Sequence, residues 1–505
     1  MDISSETSFD QHHRSIRPDQ IIFEESDVDR QLEWHQNRLN SRRRKDEVRL
    51  LKNLTELSRY DSFDLSSIRV IGSKSTRPEL LKRIFEDSGL LSASDCQHGQ
   101  RRLSEILRST DGLYRTLSGL GIFSHLQISL DSPPRSSSQR LRGQSSSDTT
   151  QIEAIIRLVE RSRFFLKTST DIGNGEGALT GLARMTNLYG NGEILEASLG
   201  LGSRTTSNFQ LRTQVPILAA RASFELAGYA CERDLTGFAS CDESLRGIST
   251  KLKTDSSYGS HEFSYDIASR SLGNLKPSAS ISIREEAGLG SSLKSSISNL
   301  WIRDTRDHSS FPTSGSCLKF YQEYAGLGGD SNFFKSTVES TFTRQLFNPH
   351  NILTIGFQTG LITPLFQNDH EDDNNQRKIR FSDKFQLGGP TSVRMFKMNS
   401  LGSKDGNDHL GGNFYWATGL SVLSDIPRKS DWPLKLHTFI NAGRLSNHWR
   451  RMIFEGGPSV SCGIGVAGKI QDVRLEVNLG LPLCLSEGDG ARRGLQVGLG
   501  ISFLS

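Results

Sequence analysis

The sequence contains no apolar run that approaches the roughly 18 residues needed for a membrane-spanning helix. Hydrophobic residues make up 35% of the 505 residues, and the mean hydropathy is −0.44. Hydropathy alone would therefore indicate a soluble protein. A membrane β-barrel escapes this test, because only every second residue of its strands is apolar and its hydropathy signal is much weaker.

Cysteine content and net charge do not point to a particular chemistry. The 61 basic and 57 acidic residues give a net charge of +4, which is too balanced to indicate nucleic-acid binding. The cysteines lack the paired spacing of a metal site, so we expect neither a disulfide framework nor a zinc site. They are Cys96, Cys231, Cys241, Cys317, Cys462 and Cys484.

Catalytic and targeting motifs are also missing. No Gly-x-Ser-x-Gly nucleophile elbow lies between a predicted strand and a helix, so we reject a hydrolase and expect no enzymatic activity. The acidic segment His370–Asp373 could hold a cation, but a solvated loop tip is preferred, and no metal or cofactor is predicted. The N-terminus lacks the apolar core of a secretory signal and is too acidic for a good mitochondrial presequence.

The first two predicted regions differ in character. Residues 1–64 are a polar segment, with disorder expected over 1–26 and a charged helix over Asp27–Ser58. The Arg42–Lys45 cluster in that helix invites a lipid-headgroup or nucleic-acid interpretation, but a solvated helix face is preferred. Residues 65–161 predict a small independent β-α-α-β-β domain. Its elements are Ser67–Ile71, Pro78–Phe85, Arg101–Leu120, His125–Leu130 and Ile152–Val159.

From residue 162 to 505, helical periodicity is replaced by runs of about ten alternating residues between turn signals. In Val473–Leu481 every odd residue is apolar, and the even residues are Arg, Glu, Asn and Gly. The strands of a soluble sandwich would also alternate. Two features favour a barrel in lipid: the face opposite the apolar residues carries charge and glycine, and the apolar residues of the last strand continue to Leu504. The count is sixteen or seventeen strands, depending on Ser278–Arg284, and we predict sixteen.

A long connection near residues 366–410 carries the motif Leu387-Gly-Gly-Pro-Thr-Ser-Val-Arg-Met-Phe396. Together with Leu410–Ala417, Phe439–Gly443 and Gln496–Phe503, it resembles the BamA-type insertase superfamily. Within that superfamily it is similar to the mitochondrial branch, the core barrel subunit of the sorting and assembly machinery (SAM). The resemblance implies a mainly β fold, with a 16-stranded transmembrane antiparallel β-barrel over 162–505 preceded by one polypeptide-transport-associated (POTRA) domain. Leu117–Phe123 matches the POTRA signature, although a plain helix stop would look the same.

The resemblance also implies that the long connection folds into the lumen and braces the barrel wall. Most members have glycine where this chain has Met395, and bacterial members often have aspartate where it has Asn441. We therefore expect a hydrogen bond between Arg394 and an amide instead of a salt bridge, with Asn441 and Gly443 as the candidate partners. The inward-loop motif comprises Leu387, Gly388, Gly389, Val393, Arg394 and Phe396.

The first and last barrel strands are the candidate lateral gate, because both have sequences that favour weak pairing. Irregular terminal strands without such a role are the alternative. The last-strand residues Gln496, Gly498, Ile501 and Phe503 also resemble the β-signal that substrates of this machinery carry. The first-strand residues are Phe164, Phe165, Leu166, Lys167, Thr168, Ser169, Thr170 and Asp171.

The implied function is insertion of β-barrel precursors into the mitochondrial outer membrane through this gate, with both termini in the intermembrane space. The implied partners are other SAM subunits, precursors and membrane lipids, and no nucleic acid. Three alternatives remain: a polypeptide-translocating pore of the same superfamily, a passive metabolite porin, and a soluble β-rich binding protein. Residues 65–161 and the inward loop argue against the porin.

Overall fold

The computed structural model describes residues 62–90, 101–131, 150–173, 176–202, 205–217, 221–346, 350–365, 379–427, 432–448, 457–470, 473–500 and 503–505. The predicted N-terminal helix, the Arg42–Lys45 cluster and His370–Asp373 lie outside these residues. The chain forms two compact units. The smaller comprises Met1–Ile68, Ala93–Asp111 and Leu130–Ala154, and the larger Arg69–Ser92, Gly112–Ser129 and Ile155–Ser505.

A four-stranded sheet and two helices precede the main sheet, with strand order β2-β1-β4-β3. The five predicted elements occur in the predicted order, and the structure adds the short strand β2. Helix α1 begins at Pro78, whose fixed φ suits a first turn, and buries Leu81, Ile84 and Phe85 on one face. The elements are β1 (Ser62–Ile71), α1 (Pro78–Asp87), β2 (Arg101–Arg102), α2 (Leu103–Gly119), β3 (Phe123–Asp131) and β4 (Thr150–Glu160).

Among the described residues from 164 onward, sixteen strands form one antiparallel sheet, so the predicted strand number is confirmed. Nearly all neighbours in the sheet are also neighbours in sequence. The strands are β5 (Phe164–Gly173), β6 (Glu176–Thr186), β7 (Ile194–Gly202), β8 (Thr205–Ile217), β9 (Ala222–Asp234), β10 (Asp242–Ser256), β11 (Gly259–Gly273), β12 (Ser292–Asp304), β13 (Gly315–Gly329), β14 (Phe333–Leu346), β15 (Asn351–Pro364), β18 (Phe414–Asp425), β19 (Leu434–Ser446), β20 (Ser459–Ile470), β21 (Val473–Cys484) and β22 (Gly494–Gly500).

The ambiguous segment Ser278–Arg284 is not a strand. Its second half begins helix α3 (Ile281–Gly288), and the Ser280 side chain caps that helix by accepting a hydrogen bond from the Ile283 amide. Serine at an N-cap offers the free amides of the first turn a partner, which competes with extended backbone. The alternation of serine and isoleucine therefore mimicked a strand.

The large sheet is apolar where it is exposed and polar where it is buried. On β21, Leu479 is 56% exposed and Leu481 50%, whereas Glu476 is fully buried and Asn478 is 1% exposed. A soluble sandwich buries its apolar face, so this distribution is the inverse of what that alternative requires. It is the distribution of a barrel with a polar interior and a lipid-facing exterior.

No helix among the described residues is long and apolar enough to cross a membrane.

The first and last strands of the sheet, β5 and β22, form a seam. Their Cα atoms approach within 8 Å. Among the described residues no backbone ladder joins them, and each pairs with only one neighbour, β5 with β6 and β22 with β21. The barrel therefore has two unsatisfied strand edges facing each other, a rare arrangement because exposed edges invite pairing with other chains.

The predicted apolar file of the last strand does not include Phe503, whose ring lies beside the buried Arg394 and Arg474. The described part of β22 ends at Gly500, whose partner is Arg474 of β21. The segment Phe503–Ser505 instead contacts the inward loop, and Leu504 is 1% exposed. The expectation that Phe503 continues the lipid-facing file is therefore wrong. Ile501 lies outside the described residues.

The described part of the connection between β15 and β18 lies inside the barrel and shares a hydrophobic cluster with the wall. Its described part contains a 3₁₀ turn (Phe381–Asp383) and a small hairpin of β16 (Lys404–Asp405) and β17 (Asp408–His409). We call residues 379–413 the inward loop. Loop residues and wall residues share this cluster, which includes Phe385, Leu387, Val393, Phe396, Leu401, Tyr415, Ala417 and Leu445.

The inverted exposure yields a test of membrane placement. We expect Leu479→Arg to destabilise the assembled barrel by about 2–4 kcal/mol, because a cation on the lipid face must leave water. Urea unfolding in lipid vesicles measures this change. The control is Leu275→Arg, a partly exposed leucine (39%) that lies outside the strands. Equal tolerance of both variants would contradict a lipid-facing β21.

Candidate functional site

The two glycines of the inward-loop motif shape a compact turn. Gly388 and Gly389 have φ values of +107° and +125°, a region that side chains rarely adopt. The amide of Gly389 donates to the carbonyl of Val393 at 3.2 Å, and the amide of Asn399 donates to the carbonyl of Gly388 at 3.1 Å. A Cβ atom on Gly388 would lie 2.4 Å from a methyl group of Leu401. The turn is therefore specific for glycine, and it aims Arg394 at the wall.

Arg394 is completely buried and forms a two-point ion pair with Glu476 of β21. Its Nε donates to Glu476 Oε2 at 2.8 Å and its Nη2 donates to Oε1 at 3.0 Å. Nη1 donates to Asn441 Oδ1 at 3.4 Å, and Nη2 also donates to the backbone oxygen of Ser505 at 2.7 Å. One guanidinium thus connects the loop to β19, β21 and the 503–505 segment.

A second arginine shares the same carboxylate. Arg474 Nη2 lies 2.6 Å from Glu476 Oε1. The ring of Phe503 lies near both arginines, with its centroid 5.5 Å from Arg394 Cζ and 4.9 Å from Arg474 Cζ. Burying a charge is costly unless it is paired and hydrogen-bonded, so this cluster depends on its single acid.

The candidate partners Asn441 and Gly443 both contact the loop. Besides accepting from Arg394, Asn441 donates from Nδ2 to the carbonyl of Ser392 at 3.0 Å. A Cβ atom on Gly443 would lie 2.7 Å from Val393, so only glycine admits the loop at this distance. The expected hydrogen bond from Arg394 to the Asn441 amide is present. The expectation that it replaces a salt bridge is wrong, because Glu476 supplies one.

Sequence reasoning missed Glu476 as the partner of Arg394. The signal was present, since Glu476 stands at an even position of the clearest alternating strand and so had to face the lumen. Which lumen side chain meets Arg394 depends on the path of a loop 82 residues away in sequence. Periodicity does not contain that information.

Met395 occupies a left-handed conformation, with φ +64°. This conformation costs a non-glycine residue about 1–2 kcal/mol, which explains the glycine that the resemblance implies for most members. Both backbone groups of Met395 are bonded: its amide donates to Gln496 Oε1 and its carbonyl accepts from the Arg492 amide, each at 2.9 Å. The side chain is buried beside Gly480, where a Cβ atom would lie 2.9 Å from Sδ.

The last strand is bound to the inward loop. Gln496 accepts from the Met395 amide and donates from Nε2 to the carbonyl of Phe396 at 3.0 Å. A Cβ atom on Gly498 would lie 3.0 Å from Pro390, so this glycine allows close contact with the loop. The polar and glycine positions of the β-signal pattern therefore face the loop, while Val497 is exposed.

The first strand has no comparable attachment. Phe164, Phe165 and Leu166 are exposed, Leu166 by 78%, and Lys167, Thr168 and Thr170 are exposed as well. Ser169 is half-buried, and Asp171 lies in the ladder with β6. Within the described part of the chain, no hydrogen bond or ion pair links β5 to the inward loop. The two sides of the seam are therefore held unequally.

Two further carboxylates fix the inward loop. Asp383 accepts two hydrogen bonds from Arg270 of β11, at 2.6 and 3.0 Å. Asp408 accepts from the amides of Ser240 and Ser280, both at 2.8 Å. Although burial opposes ionisation, the hydrogen bonds from Ser280 and Ser240 hold the pKa of Asp408 below its usual value. The loop thus crosses the lumen from β11 to β21.

Because Arg394 and Arg474 share the Glu476 carboxylate, we expect the loss of that carboxylate to destabilise the barrel more than the loss of one arginine. We expect Glu476→Gln to destabilise the barrel by about 3–5 kcal/mol, because it leaves two buried arginines without an acid. Arg394→Met should cost less, since Glu476 keeps Arg474. Urea unfolding of the purified protein in detergent measures both variants. A larger loss for Arg394→Met would contradict this account.

Comparison with known proteins agrees with this architecture. Residues 187–503 match the Omp85 superfamily domain. The chain is 31% identical to a SAM50-like protein of Schizosaccharomyces pombe, over 90% of this chain and 94% of that protein. It is 28% identical to the sorting and assembly machinery component 50 homolog of Homo sapiens, over 80% of this chain and 84% of that protein.

The fold is also similar to that of BamA from Haemophilus ducreyi lacking POTRA domains 1-3, with a TM-score of 0.67 and 14% identity over 87% of this chain and 84% of that chain. At this identity the likeness concerns the fold alone. The family match and the fission-yeast relative together show that the chain belongs to the Omp85 superfamily and, within it, to the SAM50 family.

Proposed function

We propose that this protein inserts β-barrel precursors into the mitochondrial outer membrane and folds them there. The observation that carries the proposal is the seam, where β5 and β22 lie close together without a ladder. A precursor strand that enters lipid must have its backbone groups paired, because each orphan group costs several kcal/mol. An unsatisfied strand edge at the membrane provides such partners by β-augmentation.

The proposed gate uses its two strands differently. The exposed edge of β5, from Phe164 to Asp171, is the template for an incoming strand. Strand β22 stays with the barrel, because Gln496 and Gly498 bind it to the inward loop. The charge cluster at Arg394 holds that loop against β21 and so acts as a structural brace.

The proposed setting follows from the strand number and the relatives. An even number of strands brings the start of β5 and the end of β22 to one side of the membrane, which we assign to the intermembrane space. Residues 65–161 are proposed to be a POTRA domain on that side. The proposed partners are other subunits of the sorting and assembly machinery, precursor chains and membrane lipids.

A disulfide scan tests the gate. In a background whose native cysteines are replaced by alanine, we expect Leu166→Cys to cross-link to a cysteine in the last strand of a stalled barrel precursor. Thr341→Cys, which lines a cavity in the lumen, is the control and should give little product. Non-reducing gels measure the yield.

The same scan separates insertion from translocation. A polypeptide-translocating pore would place the passing chain in the lumen, so it predicts cross-links at Thr341→Cys and none at Leu166→Cys. That result would overturn the insertase proposal in favour of the pore.

A further inference from the structure

The connection between β12 and β13, residues 305–314, is a compact turn built around one carboxylate. Asp307 accepts hydrogen bonds from the amides of Thr313 at 2.9 Å and Ser314 at 3.3 Å, and from the Thr313 hydroxyl at 2.5 Å. Although burial opposes ionisation, the hydrogen bonds from Thr313 and Ser314 lower the pKa of Asp307 to about 2. The carboxylate is therefore charged at neutral pH and holds the two ends of the turn together.

The tip of this turn packs against the lumenal wall. Phe311 is half-buried against a cluster whose three members, Ile352 of β15, Leu423 of β18 and Ala467 of β20, are each at most 1% exposed. The guanidinium of Arg474 in β21 lies over the Phe311 ring, with Cζ 5.4 Å from the ring centroid. An arginine is attracted to the face of an aromatic ring, and more strongly where water is excluded. One aromatic side chain thus contacts four strands.

The turn reaches these strands across the opening of the barrel. Strand β12 is the eighth strand of an antiparallel sheet that starts with β5, so the turn lies on the side where β5 begins. Along the wall, β21 is six strands from β13, a path of about 29 Å at about 4.8 Å per strand. Since one side chain touches both β15 and β21, the turn crosses the opening and does not follow the wall. We call residues 305–314 the strap.

Among the described residues, the strap leaves the two halves of this opening unequal. Between the strap and the wall of β13–β21, the cavity lined by Ser310, Thr354 and Arg474 measures about 50 Å³. That volume holds only a few water molecules. Beside β7–β12, a cavity of about 600 Å³ remains, whose lining includes Ser223 and Lys253. The lumen is therefore accessible from the β7–β12 half and obstructed in the other.

The open half carries charges that are paired with one another. Lys253 Nζ lies 2.8 Å from Glu225 Oε2, and Lys251 Nζ lies 2.9 Å from Glu262 Oε1. Paired charges of both signs keep this wall hydrated without a strong field of one sign. Water and polar solutes therefore reach the lumen along this half.

We propose that the strap closes the β13–β21 half of the opening, with Phe311 as its anchor and Asp307 as the group that fixes its shape, and that it stays closed while a precursor strand is added to the barrel. The first part concerns the barrel alone. The second part rests on the proposed insertase function, which uses the edge of β5 and requires no passage beneath the strap.

Labelling of a buried reporter tests the closure. Thr354 lines the small cavity and is 3% exposed, so in a background without native cysteines Thr354→Cys should react slowly with a water-soluble maleimide. Adding Phe311→Ala should speed the reaction by roughly tenfold or more, because the strap loses its anchor and opens locally. The matched control is Tyr258→Ala, which removes a 76% exposed aromatic side chain from another turn on this side. Equal rates in all three proteins would overturn the strap.

A second reporter separates opening of the strap from loosening of the whole barrel. Ser223→Cys, in the larger cavity, should react at the same rate with and without Phe311→Ala. A parallel increase at both reporters would overturn the local closure, because the variant would then have loosened the barrel as a whole.

Two further variants cover the case in which Phe311→Ala does not fold, as judged by heat-modifiable gel mobility. Phe311→Tyr keeps a ring beneath Arg474 and should leave labelling of Thr354→Cys slow. Asp307→Asn removes the charge that holds the ends of the turn together and should speed that labelling. Equally slow labelling in both folded variants would likewise overturn the strap.

Labelling with a precursor present tests the second part. When a stalled barrel precursor is bound, as reported by its cross-link to Leu166→Cys, the rate at Thr354→Cys should remain slow. A several-fold faster rate with the precursor bound would overturn the claim that the strap stays closed. If no cross-link formed at Leu166→Cys, the insertase proposal would fail, whereas the strap would stand or fall on the rates without precursor.

Discussion

The Arg394–Glu476 ion pair inside the barrel is the contact on which the remaining lumenal structure depends. A guanidinium and a carboxylate with no solvent exposure are stable only when both are fully paired. Satisfying that requirement brings the inward loop against β21. In this position the Met395 amide bonds to Gln496, and the Thr391 carbonyl bonds to the Leu504 amide. The pair thus determines where the loop, the last strand and the 503–505 segment lie.

This attachment makes the seam asymmetric. The last strand is bound to the interior through Gln496 and Gly498, whereas β5 is held by its ladder with β6. An antiparallel sheet normally closes by pairing its end strands, because unpaired edges are costly in lipid. Here no ladder joins β5 and β22 among the described residues, and Leu504 and Ser505 are bonded to the inward loop. An insertase needs such an edge, and a porin or a soluble sandwich would not tolerate one.

Much of the fold could be predicted from the sequence, because strand alternation is a local signal. The helix that begins within Ser278–Arg284 was not predicted, because serine and isoleucine alternate there as they would in a strand. Only the Ser280 cap distinguishes the helix from a strand. At the site, Arg394, Asn441 and Gly443 could be named from the motif; Asn441 bonds Arg394, and Gly443 packs against the neighbouring Val393. Neither Glu476 as the partner of Arg394 nor the place of Phe503 beside that arginine could be predicted, because both depend on contacts between segments far apart in sequence.

The sequence by itself determined the sixteen-strand barrel, its polar interior, and the glycine turn that presents Arg394, since each follows from side-chain period or from a conformation only glycine adopts easily. The tertiary structure decided the rest. It chose the acid that meets Arg394, and it brought Leu504 and Ser505 against the inward loop and close to Gly356 and Gly419. These outcomes depend on which walls face each other across the lumen, and that is set only when all the strands are in register.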